Sequence, residues 1–325
     1  MCEYAEITSI AMFTSFSNTT EPNRPTNVMS YLSKVAVAGA SGNLGLSIVN
    51  QLIKNGFEVT ILTRDSSQKF PPGIRVCMVD YNSNESLVSA LSGQSAIVSA
   101  LPRNALDIQA LLIDAAVIAG VQRFIPSEFG PDTSNFNCAL LPPFQGKILA
   151  QEKLKEKARS GELSYTIICT GPFLDWGLQH GFMNIKEKRT RLYNNGEQLF
   201  STTTLQSVGR AVCGVLMNPA PTKNRLIRVH DVTTTQRKLL SIAREVTGPY
   251  GWTVNTHSIE EMLQNSFSAH WQGMQDSESN AGFIAAAYWG KEYGGVFEQT
   301  ENEMLGIPTM NDDVLRGLIH QVWNQ

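Results

Sequence analysis

Glycines at positions 39, 42 and 45, in the stretch VAVAGASGNLG (35–45), stand where an apolar run meets a segment of helical periodicity. Glycine at the first position permits a tight turn, at the second lets the backbone approach an anion, and at the third lets a helix pack closely on a strand. The free N–H groups of the helix N-terminus then face whatever the loop encloses, and a pyrophosphate suits them. Gly39, Ala40, Ser41, Gly42, Asn43, Leu44 and Gly45 are therefore candidates for holding a dinucleotide. About twenty residues beyond the last glycine, where an NAD site places an acidic residue for the ribose hydroxyls, the chain has Arg64. A guanidinium fork suits a 2′-phosphate, and Lys69 is near enough along the chain to add a second positive charge. The pattern points to NADP(H); the alternative for Arg64 is an exposed charge at a strand end.

Such a loop needs a parallel sheet to position it. KVAVAGA, FEVTILTR, IRVCMVDY, SAIVSALP, QRFIPSEFG and LSYTIICTGPF read as strands, with the helical segments GNLGLSIVNQLIKNG, NESLVSALSG and ALDIQALLIDAAVIAGV among them. Short apolar strands separated by helices indicate an α/β, doubly wound Rossmann sheet covered on both faces. Ser99, Ala100 and Leu101 end the fourth strand and lie on the path toward a nicotinamide. Past Phe173 the rhythm breaks up, which predicts a smaller mixed α/β lobe over the C-terminal ends of the strands, where open sheets bind ligands. The expected organisation is a disordered extension over 1–32, an NADP-binding Rossmann domain over 33–175 and a substrate-binding lobe over 176–325. Some segments of the lobe are expected to return to the sheet. Met29, just before the first strand, is a candidate natural start.

Hydrophobic residues make up 42% and charged residues 17%, with a formal net charge of −3. No global basic field would draw the protein to nucleic acid or anionic lipid, and no apolar stretch approaches the ~20 residues that span a bilayer. Cys2, Cys77, Cys138, Cys169 and Cys213 show no C-x-x-C spacing, and the N-terminus carries Glu3 and Glu6 without a basic region. Free thiols in the cytoplasm and no export are expected, so the sequon at Asn18-Thr19-Thr20 is discounted. His257, His270 and His320 lack metal-ligand spacing, and no metal is expected. A small-molecule partner and a monomer or homodimer complete the expectation.

With the glycine loop and Arg64 placed, later landmarks add a resemblance. PSEFG (126–130), GPFLDWG (171–177), FSTTTLQSVGRAV (200–212) and YGGVFEQTENEMLGI (293–307) occur in that order. The chain resembles the NmrA-like, isoflavone reductase-like family of atypical short-chain dehydrogenases, and most of all the fungal members linked to secondary metabolism. The resemblance runs from residue 34 to the C-terminus. It implies either a reductase or a cofactor sensor without redox chemistry.

Reductases of that family carry a lysine on the helix after the PSEFG strand. The matching stretch is PFQGKILAQEKL (143–154), and the lysine is Lys147. By position alone Lys147 is one of several charges on its helix, with Lys153, Lys155 and Lys157, and most such lysines face water. The resemblance singles it out as the catalytic residue. No Tyr-x-x-x-Lys pair accompanies it in the catalytic region. Where plant reductases have an arginine touching the cofactor, this chain has Gln151, which leaves that contact unassigned.

The resemblance also places Thr170, Gly171, Pro172 and Phe173 against the nicotinamide, with Phe173 equally suited to the core. Glu128 and Phe129, with Asp175, Trp176 and His180, are candidates for the substrate side. The last three read equally well as a helix cap, a core aromatic and a surface imidazole. Aromatics between 267 and 297 suit either a large apolar substrate or the lobe's own core. The expected function is an NADPH-dependent reductase of an aromatic or heterocyclic metabolite, an enone, imine or similar, with Lys147 assisting proton transfer. The alternatives are an NADP(H) sensor that binds a protein partner, and a cyclase or isomerase that uses the cofactor-bound pocket as a template.

Overall fold

The computed structural model describes residues 31–325 apart from Ser66, Pro72 and Gln275. Residues 1–30, with the candidate start at Met29 and nearly all of the expected extension, lie outside the described residues. The strands in chain order are β1 (Lys34–Ala38), β2 (Glu58–Thr63), β3 (Arg75–Met78), β4 (Ala96–Ser99), β5 (Arg123–Ile125), β6 (Ser164–Cys169), β7 (Met183–Asn184), β8 (Arg189–Tyr193), β9 (Leu199–Thr202), β10 (Arg225–Arg228), β11 (Val232–Thr235) and β12 (Thr253–His257). The helices are α1 (Asn43–Lys54), α2 (Asn84–Leu91), α3 (Ile108–Ile118), α4 (Phe136–Ala139), α5 (Gln145–Arg159), α6 (Leu174–Gln179), α7 (Leu205–Met217), α8 (Gln236–Thr247), α9 (Ile259–Trp271), α10 (Ala281–Trp289), α11 (Asn302–Leu305) and α12 (Asp312–Asn324).

β10-β6-β5-β4-β1-β2-β3 form one seven-stranded sheet, parallel throughout. Its first six strands in chain order follow the doubly wound dinucleotide-binding pattern, in which order reverses between β1 and β4. β1 shows why the apolar run folds this way. Val35 and Val37 pack with Ile48, Leu52 and Val212 on one face, while Ala36 and Ala38 pack with Leu87, Leu112 and Ile113 on the other. A strand buried on both sides has no polar face to alternate.

The fifth strand is shorter than its sequence suggests. It stops at Ile125, because Pro126 has no N–H to continue the ladder, and PSEFG becomes a loop. That loop turns at Phe129, which adopts φ +32°.

Residues beyond 175 build a second core and also return to the sheet. β10 pairs with β6, and the Ser47 hydroxyl of α1 bonds the Leu205 carbonyl of α7 at 2.8 Å. The second core gathers Phe182, Tyr193, Phe200, Leu239, Phe283, Trp289 and Leu315. Trp289 stacks on Tyr193 with ring centroids 4.6 Å apart and meets Phe182 and Phe200 edge-on. Most of the lobe's aromatics are thus its own core, and Trp271 faces solvent. Among the described residues no helix is long and apolar enough to cross a membrane.

Candidate active site

A cleft of about 1000 Å³ opens at the C-terminal ends of β1, β2, β4 and β5, where the strand order reverses and a ligand crevice forms. Its floor is the turn from β1 to α1. Gly39 has φ +79°, and a Cβ there would sit 2.4 Å from the Ala100 carbonyl oxygen. A Cβ on Gly45 would come within 2.1 Å of the Gly39 carbonyl oxygen. Gly42 differs: a Cβ would meet only that same oxygen, at 3.7 Å, so its face is open. α1 has no side-chain cap at Gly42 and no acidic residue in its first turn. Its leading N–H groups are therefore unspent and its dipole uncompensated, the arrangement that receives an anion. These features fit a dinucleotide pyrophosphate. Residues 39–45 all line the cleft.

Arg64 lines the cleft at the end of β2 and forms no ion pair among the described residues. Tyr81 donates to the Leu62 carbonyl at 3.2 Å, and burial pushes its phenol up to about 12 against the opposing Arg64 charge. Lys69, the second expected cation, is not on the cleft wall; Gln68 and Phe70 of the same loop are. At the end of β4, Ala100 and Leu101 line the cleft but Ser99 does not. Ser99 is fully buried, its hydroxyl 2.8 Å from that of Ser127, which also accepts the Leu101 N–H at 2.8 Å. Ser99 lies behind the wall and Ser127 on it, and the pair braces the β4 turn against the PSEFG loop.

The PSEFG loop and α5 bring two titratable side chains, Glu128 and Lys147, together. Lys147 is the third residue of α5, and its side chain is 13% exposed. Its Nζ donates to the Glu128 carbonyl oxygen, lies 3.9 Å from Glu128 Oε2, and stands 5.8 Å from the centre of the Phe144 ring. Lys153 pairs with Asp114 at 2.6 Å and Lys157 with Glu162 at 3.4 Å, while Lys155 is exposed. Of these lysines Lys147 alone reaches the cleft.

Glu128 is buried, and its carboxyl accepts from Gln151 Nε2 at 2.9 Å and Thr133 at 3.2 Å. Burial raises its pKa, with Lys147, Gln151 and Thr133 opposing. The carboxyl expected on the substrate side is therefore bound inside the protein. Gln151 is turned away from the cleft too, and its amide also donates to Thr133 Oγ1 at 2.8 Å. Phe129 reaches the cleft wall while packing in the first core.

Phe173 lines the cleft, whereas Pro172 does not; its carbonyl accepts from Thr202 at 2.6 Å. Asp175 is also off the cleft, accepting the Leu205 N–H at 3.1 Å and so capping the start of α7. Burial raises its pKa against that bond. Trp176 and His180 pack on each other 5.9 Å apart, and His180 lines a separate hollow of about 240 Å³ with Met183 and Arg191. The cleft wall instead carries Arg103, after β4, and Ile284 and Tyr288 of α10. Ile284 and Tyr288 are four apart and share a helix face. Among the described residues no cluster of His, Cys, Asp and Glu is arranged to hold a metal.

The model of the NmrA-like family matches residues 32–268. The chain belongs to the NmrA-like family. Among NmrA-like relatives, oxidoreductase aprR of Aspergillus flavus is 37% identical over 298 residues, 88% of this chain and 98% of the relative. Oxidoreductase poxI of Penicillium oxalicum is 34% identical over 251 residues, 74% of this chain and 78% of the relative. By that kinship this NmrA-like chain is an oxidoreductase. In solved structures the fold recurs in leucoanthocyanidin reductase from Vitis vinifera in a ternary complex, with TM-score 0.72, 15% identity, 90% of this chain and 99% of that one covered. It recurs in isoflavone reductase with TM-score 0.68, 19% identity, 89% of this chain and 98% of that one covered.

Proposed function

We propose that the chain is an NADPH-dependent reductase of a small, electron-poor metabolite. NADP(H) is the cofactor. The glycine turn and the α1 N-terminus hold its pyrophosphate, Arg64 its 2′-phosphate, and Ala100, Leu101 and Phe173 its nicotinamide end. Bound there, the cofactor supplies a hydride from C4 of its nicotinamide ring. Lys147 manages the accompanying proton. Its ammonium has three N–H groups; the Glu128 carbonyl takes one and fixes the side chain, leaving others for substrate or a water. The neighbouring core groups exclude bulk solvent and strengthen each polar contact. A relative named asnovolin J 5′,6′-dehydrogenase nvfM, from Aspergillus novofumigatus and 27% identical over 257 residues, supports a secondary-metabolic substrate, and the free state of Cys77, Cys138, Cys169 and Cys213 supports a cytoplasmic setting.

The observation that carries this reading is Lys147. Of the lysines on its helix it alone enters the cleft that holds the glycine cradle. The test is NADPH oxidation with a panel of quinones, enones and imines, followed by Lys147→Met. Turnover that falls at least about 100-fold with NADPH affinity unchanged fits a general acid–base role. Unchanged turnover overturns that role. Tight NADP(H) binding with no turnover on any acceptor overturns the reductase reading in favour of a sensor.

A further inference from the structure

Gly130 separates two polar groups that come from opposite halves of the chain. A methyl carbon on Gly130 would stand 3.1 Å from the Tyr288 hydroxyl and 3.5 Å from Lys147 Nζ. The Glu128 carbonyl oxygen, which already accepts from Lys147 Nζ, is 3.3 Å from the same point, and with no side chain on residue 130 nothing of that residue separates the phenol from the ammonium. Tyr288 lines the cleft, and its hydroxyl has no hydrogen-bond partner among the described residues. Tyr288 is half-buried, which leaves that hydroxyl able to donate into the cleft. Burial raises the phenol's pKa, so at neutral pH it is a donor. The Arg103 guanidinium also faces this end of the cleft and has no ion pair among the described residues. Nearby carboxylates are Asp107, exposed at the lip, and Glu128, bound by Gln151 and Thr133.

We propose that Tyr288 and Lys147 form a two-donor cradle for a substrate oxygen that gains negative charge, so that the acceptor is a carbonyl compound, such as a conjugated ketone or quinone, rather than an iminium. The inference rests on the reductase reading and narrows its substrate class. An iminium would bring a third positive charge against Lys147 and Arg103, whereas a developing oxyanion is met by donors aimed at it. The acceptor carbon takes the hydride and forms a C–H bond, and the carbonyl π pair moves onto oxygen. That oxygen takes the Tyr288 proton to close an O–H bond. The phenolate recovers a proton from the Lys147 ammonium, which water restores. The substrate gains two electrons and the nicotinamide loses two.

The probe is 4-nitrophenol, whose phenolate mimics the charged oxygen and whose absorbance reports its ionisation. It is titrated into the full chain loaded with NADP⁺, with 4-nitroanisole as the uncharged control. The wild-type complex is expected to bind the phenolate and lower the apparent pKa of the bound probe. Tyr288→Phe removes one hydroxyl from a charged acceptor and is expected to weaken phenolate binding about 10- to 100-fold. NADP⁺ and 4-nitroanisole affinities should stay within about twofold for a cavity the size of one oxygen. Equal phenolate binding by Tyr288→Phe, or an equal loss for 4-nitroanisole, overturns the inference. So does an NADP⁺ complex that ignores the probe. A wild-type chain that fails to bind NADP⁺ overturns the reductase reading, and the inference with it.

Discussion

Replacing Arg64 with glutamine isolates the cofactor's phosphate. The guanidinium stands at the end of β2 on the cleft wall, exposed and without an ion pair among the described residues. Two unit charges about 4 Å apart interact by about 4 kcal/mol near a protein surface. Solvent screening and side-chain entropy reduce that, and a charged hydrogen-bond pair nets about 1.5–3 kcal/mol. Arg64→Gln should therefore weaken NADPH binding about 10- to 100-fold while NADH changes by less than about twofold. The neighbouring carboxylate does not convert the site to NADH. Asp65 Oδ1 accepts the Ser67 N–H at 2.8 Å and its hydroxyl at 2.7 Å, which holds the carboxyl below its ordinary pKa and turned back on its own loop. The assay is fluorescence titration of each reduced cofactor at low and high salt. Wild-type NADPH affinity should fall with ionic strength more steeply than that of the variant. Equal losses for NADPH and NADH would mean that Arg64 serves the shared pyrophosphate. An unchanged NADPH affinity would refute the assignment outright.

The other variants probe the interior. Glu128→Gln keeps the shape of a side chain whose pKa burial raises. A raised folded-state value means that the native state favours the neutral acid: that stability is whole below the unfolded pKa and is lost as pH rises through the folded one. The variant should thus gain on the wild type with rising pH, by about 1.4 kcal/mol per pH unit between the two pKa values. Parallel urea-denaturation profiles from pH 4 to 8 would contradict this. Gly45→Ala drives a methyl against the Gly39 carbonyl at 2.1 Å, between backbone atoms that cannot step aside. It should cost roughly 1–3 kcal/mol and abolish the rise in Tm that NADPH gives the wild type; a variant still stabilised by the cofactor would show that the turn does not hold it.

How much of this was legible in the chain depends on what the physics of each part requires. The glycine turn was legible because strand, helix and anion are sequence neighbours, so one local pattern carries all three. The sheet was legible because strands buried on both faces must be apolar, and β1, β2 and β4 are. Charge was a poorer guide. Glu128 does line the cleft, but its carboxyl is turned inward and bound by Thr133, five residues on in the same loop region, and by Gln151 of α5, whose approach only the packing of that helix fixes. Asp175 reads as substrate-facing or as a helix cap, and it is the cap, but of α7, thirty positions on. Tyr288 was one aromatic among several between 267 and 297, with nothing to single it out. Its helix, AGFIAAAYW, is apolar around its circumference, so periodicity cannot tell its cleft face from its core face. The packing of Trp289 among Phe182, Tyr193 and Phe200 turns that residue to the core and leaves Tyr288 on the cleft side.

The burial of Lys147 bears on the choice between a reductase and a sensor. A chain that only reads the NADP(H) ratio needs the glycine cradle, Arg64 and a surface that changes with the cofactor. It has no need of an ammonium inside the cleft. Holding the Lys147 ammonium and the Glu128 carboxyl there takes both groups out of water, and such burial seldom stabilises a fold once desolvation is counted. Lys153 and Lys157 show what the same helix does where nothing is demanded: they pair with surface carboxylates, half in solvent. The protein instead fixes Lys147 on the Glu128 carbonyl, satisfies the carboxyl with Gln151 and Thr133, and leaves Gly130 bare between Lys147 and Tyr288. An arrangement that costs stability and ends in donors facing a cleft supports the proposed proton-transfer role, for which a sensor has no need.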